Sequence, residues 1–82
     1  MSLNRTTLGI EIKLFATLAK FLPENSDNYT IVPGETVLSL IDRLGIPVDE
    51  VTLIFINSAR AYLESELNNG DRLGLFPPVG GG

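Results

Sequence analysis

Apolar residues recur along the chain at spacings that change from segment to segment, and each change of period marks a new element. Leu8, Ile10, Ile12 and Leu14 alternate with Gly9, Glu11, Lys13 and Phe15. A period of two predicts a strand with one apolar face. Ala16 to Leu22 suit a short helix that Pro23 stops, and the polar run Glu24-Asn25-Ser26-Asp27-Asn28 predicts a loop. Tyr29-Thr30-Ile31-Val32 is aromatic and β-branched and predicts a second strand, ended by a Pro33-Gly34 turn. Val37, Leu40, Ile41 and Leu44 then fall at i, i+3, i+4 and i+7, one stripe along an α-helix. Thr36 is placed to cap its N-terminus, Gly45 suits the left-handed residue that closes it, and Pro47 lies just beyond.

Val51 to Ile56 is apolar at nearly every position, which predicts a central strand or one with a face covered by a partner. Ile54 and Ile56 are expected in the core. Asn57-Ser58 can turn the chain so that Ala59 to Leu63 returns as a short strand. Asn69-Gly70 predicts a turn, and Arg72 to Phe76 the last strand, with Leu73 and Leu75 on one face and Gly74 and Phe76 on the other. Pro77-Pro78 ends it, because proline has no N–H for a ladder. The order strand, strand, helix, strand, strand, strand predicts an α+β fold: a mixed sheet of four to five strands with one main helix on one face.

Composition narrows the chemistry. Eighty-two residues make one domain. There is no cysteine and no histidine. Disulfides, thiolate metal sites and His-dependent catalysis are therefore excluded, and no metal site is expected. The two lysines, Lys13 and Lys20, have no catalytic neighbour in the sequence, and no motif supports a carboxylate pair for acid–base work. Six Lys and Arg against ten Asp and Glu give a net charge of −4. Such a chain suits a basic partner better than nucleic acid or an anionic membrane. With no apolar run long enough for a span and no signal segment, a cytoplasmic protein is expected. Residues 1–7 are expected to be a flexible N-terminus, with Met1-Ser2-Leu3 reading as a remnant of expression. Asp42, Asp49, Glu50, Glu64, Glu66 and Asp71 are expected to be solvated surface. Arg60 and Arg72 read either as contacts for an acidic partner or as solvent-facing charges. Three of the eight glycines are the last three residues.

The C-terminal run Leu67-Asn68-Asn69-Gly70-Asp71-Arg72-Leu73-Gly74-Leu75-Phe76-Pro77-Pro78-Val79-Gly80-Gly81-Gly82 resembles that of molybdopterin synthase small subunits. More broadly it resembles the MoaD/ThiS family of ubiquitin-like sulfur carriers. The matching features are a Gly-Asp turn, an apolar strand, Phe-Pro-Pro-Val and a terminal Gly-Gly. A Lys-Leu-Phe-Ala segment closing the first strand, a Thr-Val-x-x-Leu helix start and a strand ending at Asn57 extend the likeness from Leu8 to Gly82. Two positions depart from the family pattern. Gly80 stands where Ser or Thr is usual, and Asn69-Gly70-Asp71 replaces the usual Asp-Gly-Asp.

The resemblance implies a β-grasp domain over 1–79, a flexible tail over 80–82, and a carrier without catalytic residues of its own. In the family, an E1-like adenylating enzyme uses ATP and Mg²⁺ to activate the terminal carboxylate, here that of Gly82. Sulfur then displaces AMP, leaving a thiocarboxylate that donates sulfur in molybdenum cofactor biosynthesis. A carboxylate is a poor electrophile, and adenylation gives it a leaving group. The implied partners are that enzyme and the synthase large subunit, two carriers flanking a large-subunit dimer as a heterotetramer. Gly80 and Gly81 would thread a narrow channel, mobile when free and ordered when docked. Phe76, Pro77, Pro78 and Val79 would form the docking stem. Phe15 and Phe76 are out of phase with the core residues of their strands, so each reads equally as core packing or as a partner face. The alternatives of function are a sulfur carrier for thiamine thiazole, cysteine or tungsten-cofactor synthesis, and a ubiquitin-like modifier conjugated through Gly82.

Overall fold

The computed structural model describes residues 7–78. Its helix, α1 (Val37–Leu44), forms where the apolar stripe predicts it. The Ser39 N–H donates to Thr36 Oγ1 at 3.2 Å, the cap expected of a threonine there. Two more N–H groups of the first turn, those of Val37 and Leu38, donate to the carbonyls of Ser65 and Leu63, each at 3.0 Å. A helix start that cannot bond to itself is thus satisfied by a distant segment. Gly45 closes the helix at φ 79°, a conformation costly for any residue with a β-carbon. Ile46 N–H reaches back to the Ile41 carbonyl at 3.1 Å, completing the closure.

Five strands form one mixed sheet: β1 (Leu8–Leu14), β2 (Tyr29–Ile31), β3 (Leu53–Ile56), β4 (Ala59–Ala61) and β5 (Arg72–Phe76). Their order is β2-β1-β5-β3-β4. The central pair β1 and β5 is parallel, and the other pairs are antiparallel. Ala16–Phe21 is a 3₁₀ helix rather than an α-helical turn. Strand β3 begins at Leu53 rather than Val51, because Val48–Glu50 form a 3₁₀ turn whose carbonyl at Val48 takes the Val51 N–H at 3.1 Å. Strand β4 stops at Ala61 rather than Leu63, because Ser65 Oγ accepts the Tyr62 N–H at 2.9 Å and turns the chain.

One side of the sheet carries Ile10, Ile12, Leu14, Ile54, Leu73 and Leu75, all buried together with Val37, Leu40 and Ile41 of α1. Ile56 packs against this cluster while remaining partly exposed. Each side chain fully buried there stabilises the fold by about 1.5–3 kcal/mol relative to exposure. The helix covers only this side.

Among the described residues, two carboxylates are buried. Asp71 is 8% exposed, which corrects its expected place on the solvated surface. Its Oδ1 accepts from Asn57 Nδ2 and its Oδ2 from the Asn68 N–H, both at 2.8 Å. The carboxylate is buried because it ties the turn before β5 to the turn after β3, a pairing that hydropathy does not encode. Glu35 is 7% exposed and accepts from Arg43 Nη2 at 2.9 Å, Ser39 Oγ at 3.1 Å and the Val32 N–H at 3.3 Å. It joins the end of β2 to α1.

Candidate functional site

The other side of the sheet is not covered by α1, and its residues follow from the register. Arg60, Phe55, Gly74 and Lys13 lie in one row across β4, β3, β5 and β1. Leu53 pairs with Phe76 in the next row. There Phe15 follows Leu14, which pairs with Leu75. Arg72 and Glu11 pair in the row on the opposite side.

Three phenylalanines therefore meet on this open face. The Phe15 and Phe76 rings stack with centroids 4.3 Å apart and planes 6° apart. The Phe55 ring meets Phe76 edge-on at 5.7 Å and 84°. Such pairs contribute about 0.5–1.5 kcal/mol each beyond the area they bury. Phe15 is still 40% exposed, and Phe55 and Phe76 are partly exposed. Beside the rings, at Gly74, is an open notch of about 380 Å³, bordered also by Lys13, Ser58 and Arg72. A β-carbon at Gly74 would lie 3.6 Å from Phe15 Cε2 and 3.8 Å from Phe76 Cε1, so a methyl group fits there against the two rings.

Both aromatics singled out in the sequence, Phe15 and Phe76, are on this face and touch each other. Their packing is with one another rather than with the core. Strand β5 ends at Phe76. Thr52 N–H donates to the Phe76 carbonyl at 2.8 Å, the last rung of the sheet there, and the two prolines follow without an N–H to extend it. Pro77 is half-buried and Pro78 exposed. Val79, Gly80, Gly81 and Gly82 lie outside the described residues, as do residues 1–6. Arg72 is exposed beside the notch, and the Arg60 guanidinium lies 4.9 Å from the centroid of the Tyr62 ring. Lys13 Nζ is 3.4 Å from Glu11 Oε2, both accessible to water, so that pair adds little stability.

Phe55 is the site residue that sequence reasoning passes over. It sits between Ile54 and Ile56 in a run apolar on both faces, so its hydropathy does not distinguish it. Strand parity does, once Ile54 and Ile56 are assigned to the core: Phe55 must then point the other way.

Comparison with known proteins agrees with this architecture. A family model described as Mut7-C ubiquitin matches residues 7–80. None of the curated proteins compared matches the chain. Among solved structures, the HVO 2177 protein of Haloferax volcanii superposes with a TM-score of 0.76 at 22% identity, covering 100% of this chain and 93% of that one. Small archaeal modifier protein 1 of H. volcanii has 30% identity and a TM-score of 0.61, covering 88% of this chain and 99% of that one. A Pyrococcus furiosus protein assigned as molybdopterin converting factor, subunit 1, has 26% identity and a TM-score of 0.62, with the same coverage of 88% and 99%. The helix-backed mixed sheet is the β-grasp arrangement these proteins share. With its match extending over every described residue, the chain belongs to the Mut7-C ubiquitin family and has a ubiquitin-like fold of the MoaD/ThiS kind.

Proposed function

We propose that this chain is a ubiquitin-like carrier whose reacting group is the carboxylate of Gly82, and that it carries sulfur for molybdopterin synthesis. The observation that best supports the reading is the junction at Phe76: the strand at the sheet centre ends there, beside an uncovered aromatic face, and Pro77-Pro78 leads into Val79-Gly80-Gly81-Gly82. Those glycines have no side chains to obstruct a narrow active site.

In this reading the chain supplies shape and one carboxylate, and an E1-like partner supplies the catalytic groups. The Gly82 carboxylate oxygen attacks the α-phosphorus of ATP, and pyrophosphate leaves. A sulfur nucleophile then attacks the carbonyl carbon and AMP leaves with the original oxygen, giving the thiocarboxylate. The open face around Phe15, Phe55 and Phe76 docks first on the adenylating enzyme and then on the synthase large subunit. One carrier thus serves two sites in turn, as group carriers do.

A second reading has its own support. The 30% identity to small archaeal modifier protein 1 favours conjugation of Gly82 to lysines of other proteins. One experiment separates the two. The chain is incubated with its adenylating enzyme, ATP, Mg²⁺ and a sulfide source, and intact mass is recorded. Sulfur transfer raises the mass by the difference between sulfur and oxygen, and the product then converts the molybdopterin precursor when the large subunit is added. A chain that is activated but is recovered only as isopeptide-linked conjugates, with its Leu73-to-Gly82 peptide left on lysines of other proteins after trypsin, is a modifier. An unchanged mass and no conjugates when target proteins are added, with an enzyme of proven activity, refute both.

A further inference from the structure

We propose that the notch over Gly74 is a receptor for one bulky apolar side chain presented by a partner protein on a carboxylate-rimmed surface. The inference deepens the docking role given above to this face, and it rests on that role rather than on the chemistry at Gly82.

Two independent features of the molecule point to such an occupant. The first is shape. Gly74 stands in the middle of a four-strand row, flanked by Phe55 on one neighbouring strand and Lys13 on the other. Beside it lies an open recess of about 380 Å³ lined by Lys13, Phe15, Phe55, Ser58, Arg72 and Phe76. The recess is not required by packing, since a β-carbon there would meet its nearest neighbours at ordinary contact distances of 3.6 and 3.8 Å. Glycine within a strand weakens it, so a position that tolerates a side chain yet lacks one marks a close approach by something else.

The second feature is charge. The chain is acidic, with a net charge of −4, but its charges are sorted. The strand residues of the open face carry Lys13, Arg60 and Arg72 against the single carboxylate of Glu11. Of the exposed acids, Asp42, Asp49, Glu50, Glu64 and Glu66 belong to α1, the 3₁₀ turn packed on it, and the segment bonded to its N-terminus, while Glu24 and Asp27 lie in the segment before β2. A cationic rim on an anionic body steers acidic surfaces toward the notch and turns basic ones away. A protein suits the site better than a nucleic acid, because Phe15 and Phe76 already stack on each other and leave no gap for a base between them.

The test uses the intact chain, isotopically labelled for NMR, and two synthetic peptides. One has a central leucine flanked by aspartates and glutamates; the other has lysines in place of the acids. The acidic peptide is expected to shift the amide signals of Lys13, Phe15, Phe55, Gly74 and Phe76. Its affinity is expected to fall about fivefold between about 50 and about 300 mM salt. Gly74→Val, and more mildly Gly74→Ala, narrow the notch and are expected to weaken this binding, with Gly74→Ala leaving the unfolding midpoint unchanged. Lys13→Glu combined with Arg60→Glu is expected to weaken it about tenfold. Equal binding of both peptides, shifts centred elsewhere, undiminished binding by Gly74→Val and Gly74→Ala, or preference for a single-stranded oligonucleotide would each overturn the inference. So would concentration-dependent shifts of the same signals without peptide, which would assign the face to a second copy. Peptide binding by a chain that never acquires sulfur or a lysine partner would leave the notch standing and remove the carrier reading. The converse result would remove the notch alone.

Discussion

The stacked pair Phe15–Phe76 offers a quantitative check on the open face. With ring centroids 4.3 Å apart and planes 6° apart, the two rings are in direct contact. Such a pair should show a coupling of about 0.5–1.5 kcal/mol. Phe76 also receives the edge of Phe55 at 5.7 Å. Phe76→Ala therefore loses two ring pairs, and with them about 2 kcal/mol. Phe15→Ala breaks only the stack with Phe76 and should cost about 1 kcal/mol. The assay is urea unfolding of the wild type, both single variants and the double variant. For a chain this small, with a urea slope of about 1 kcal/mol per molar, the Phe76 variant should unfold about 2 M earlier. The double variant should lose less than the sum of the singles by the coupling energy, since the stack can be broken only once. Strictly additive losses, within about 0.3 kcal/mol, would refute the stacked face. So would a Phe76→Ala midpoint indistinguishable from wild type.

Three further perturbations probe the scaffold by the same equilibrium unfolding. Leu40→Ala removes a fully buried helix side chain and should destabilise by about 2–5 kcal/mol; a loss below about 1 kcal/mol would place Leu40 outside the core. Thr36→Ala leaves the Ser39 N–H without its 3.2 Å acceptor and should cost about 1 kcal/mol, with loss of helical circular dichroism at the midpoint rather than before it. Asn57 and Ser58 both have positive φ, 55° and 72°, in the turn between β3 and β4. Ser58→Gly should therefore stabilise by about 0.5–1 kcal/mol, a gain that would vanish if the turn were of another type.

Much of the scaffold was legible because its determinants are local. The three- and four-residue spacing of Val37, Leu40, Ile41 and Leu44, with Thr36 before and Gly45 after, specifies α1 within ten residues of chain. Alternation in Leu8–Leu14 and Arg72–Phe76 identifies which side chains enter the core. The same alternation put Phe15 and Phe76 out of phase with that core. The buried carboxylates were not legible. Asp71 and Glu35 look like any surface acid until Asn57, Asn68, Arg43 and Ser39 are brought to them. Phe55 was hidden by the opposite problem, an apolar run whose two faces look alike.

The sequence by itself determined the elements, their capping residues, the lack of any histidine or cysteine chemistry, and the glycine run that follows Pro77-Pro78 and Val79. These are properties of residue type and of spacings within one turn or one strand, and they need no partner across space. Tertiary structure alone decided that β1 and β5 lie side by side and parallel, though 57 residues lie between Leu14 and Arg72, and that pairing seats Lys13 beside Gly74 and Phe15 beside Phe76. It also decided that α1 covers one side of the sheet and leaves the other bare. Strand register is a long-range choice, made where it buries the most apolar surface on the helix side. The aromatic notch and its cationic rim are what that choice leaves facing outward.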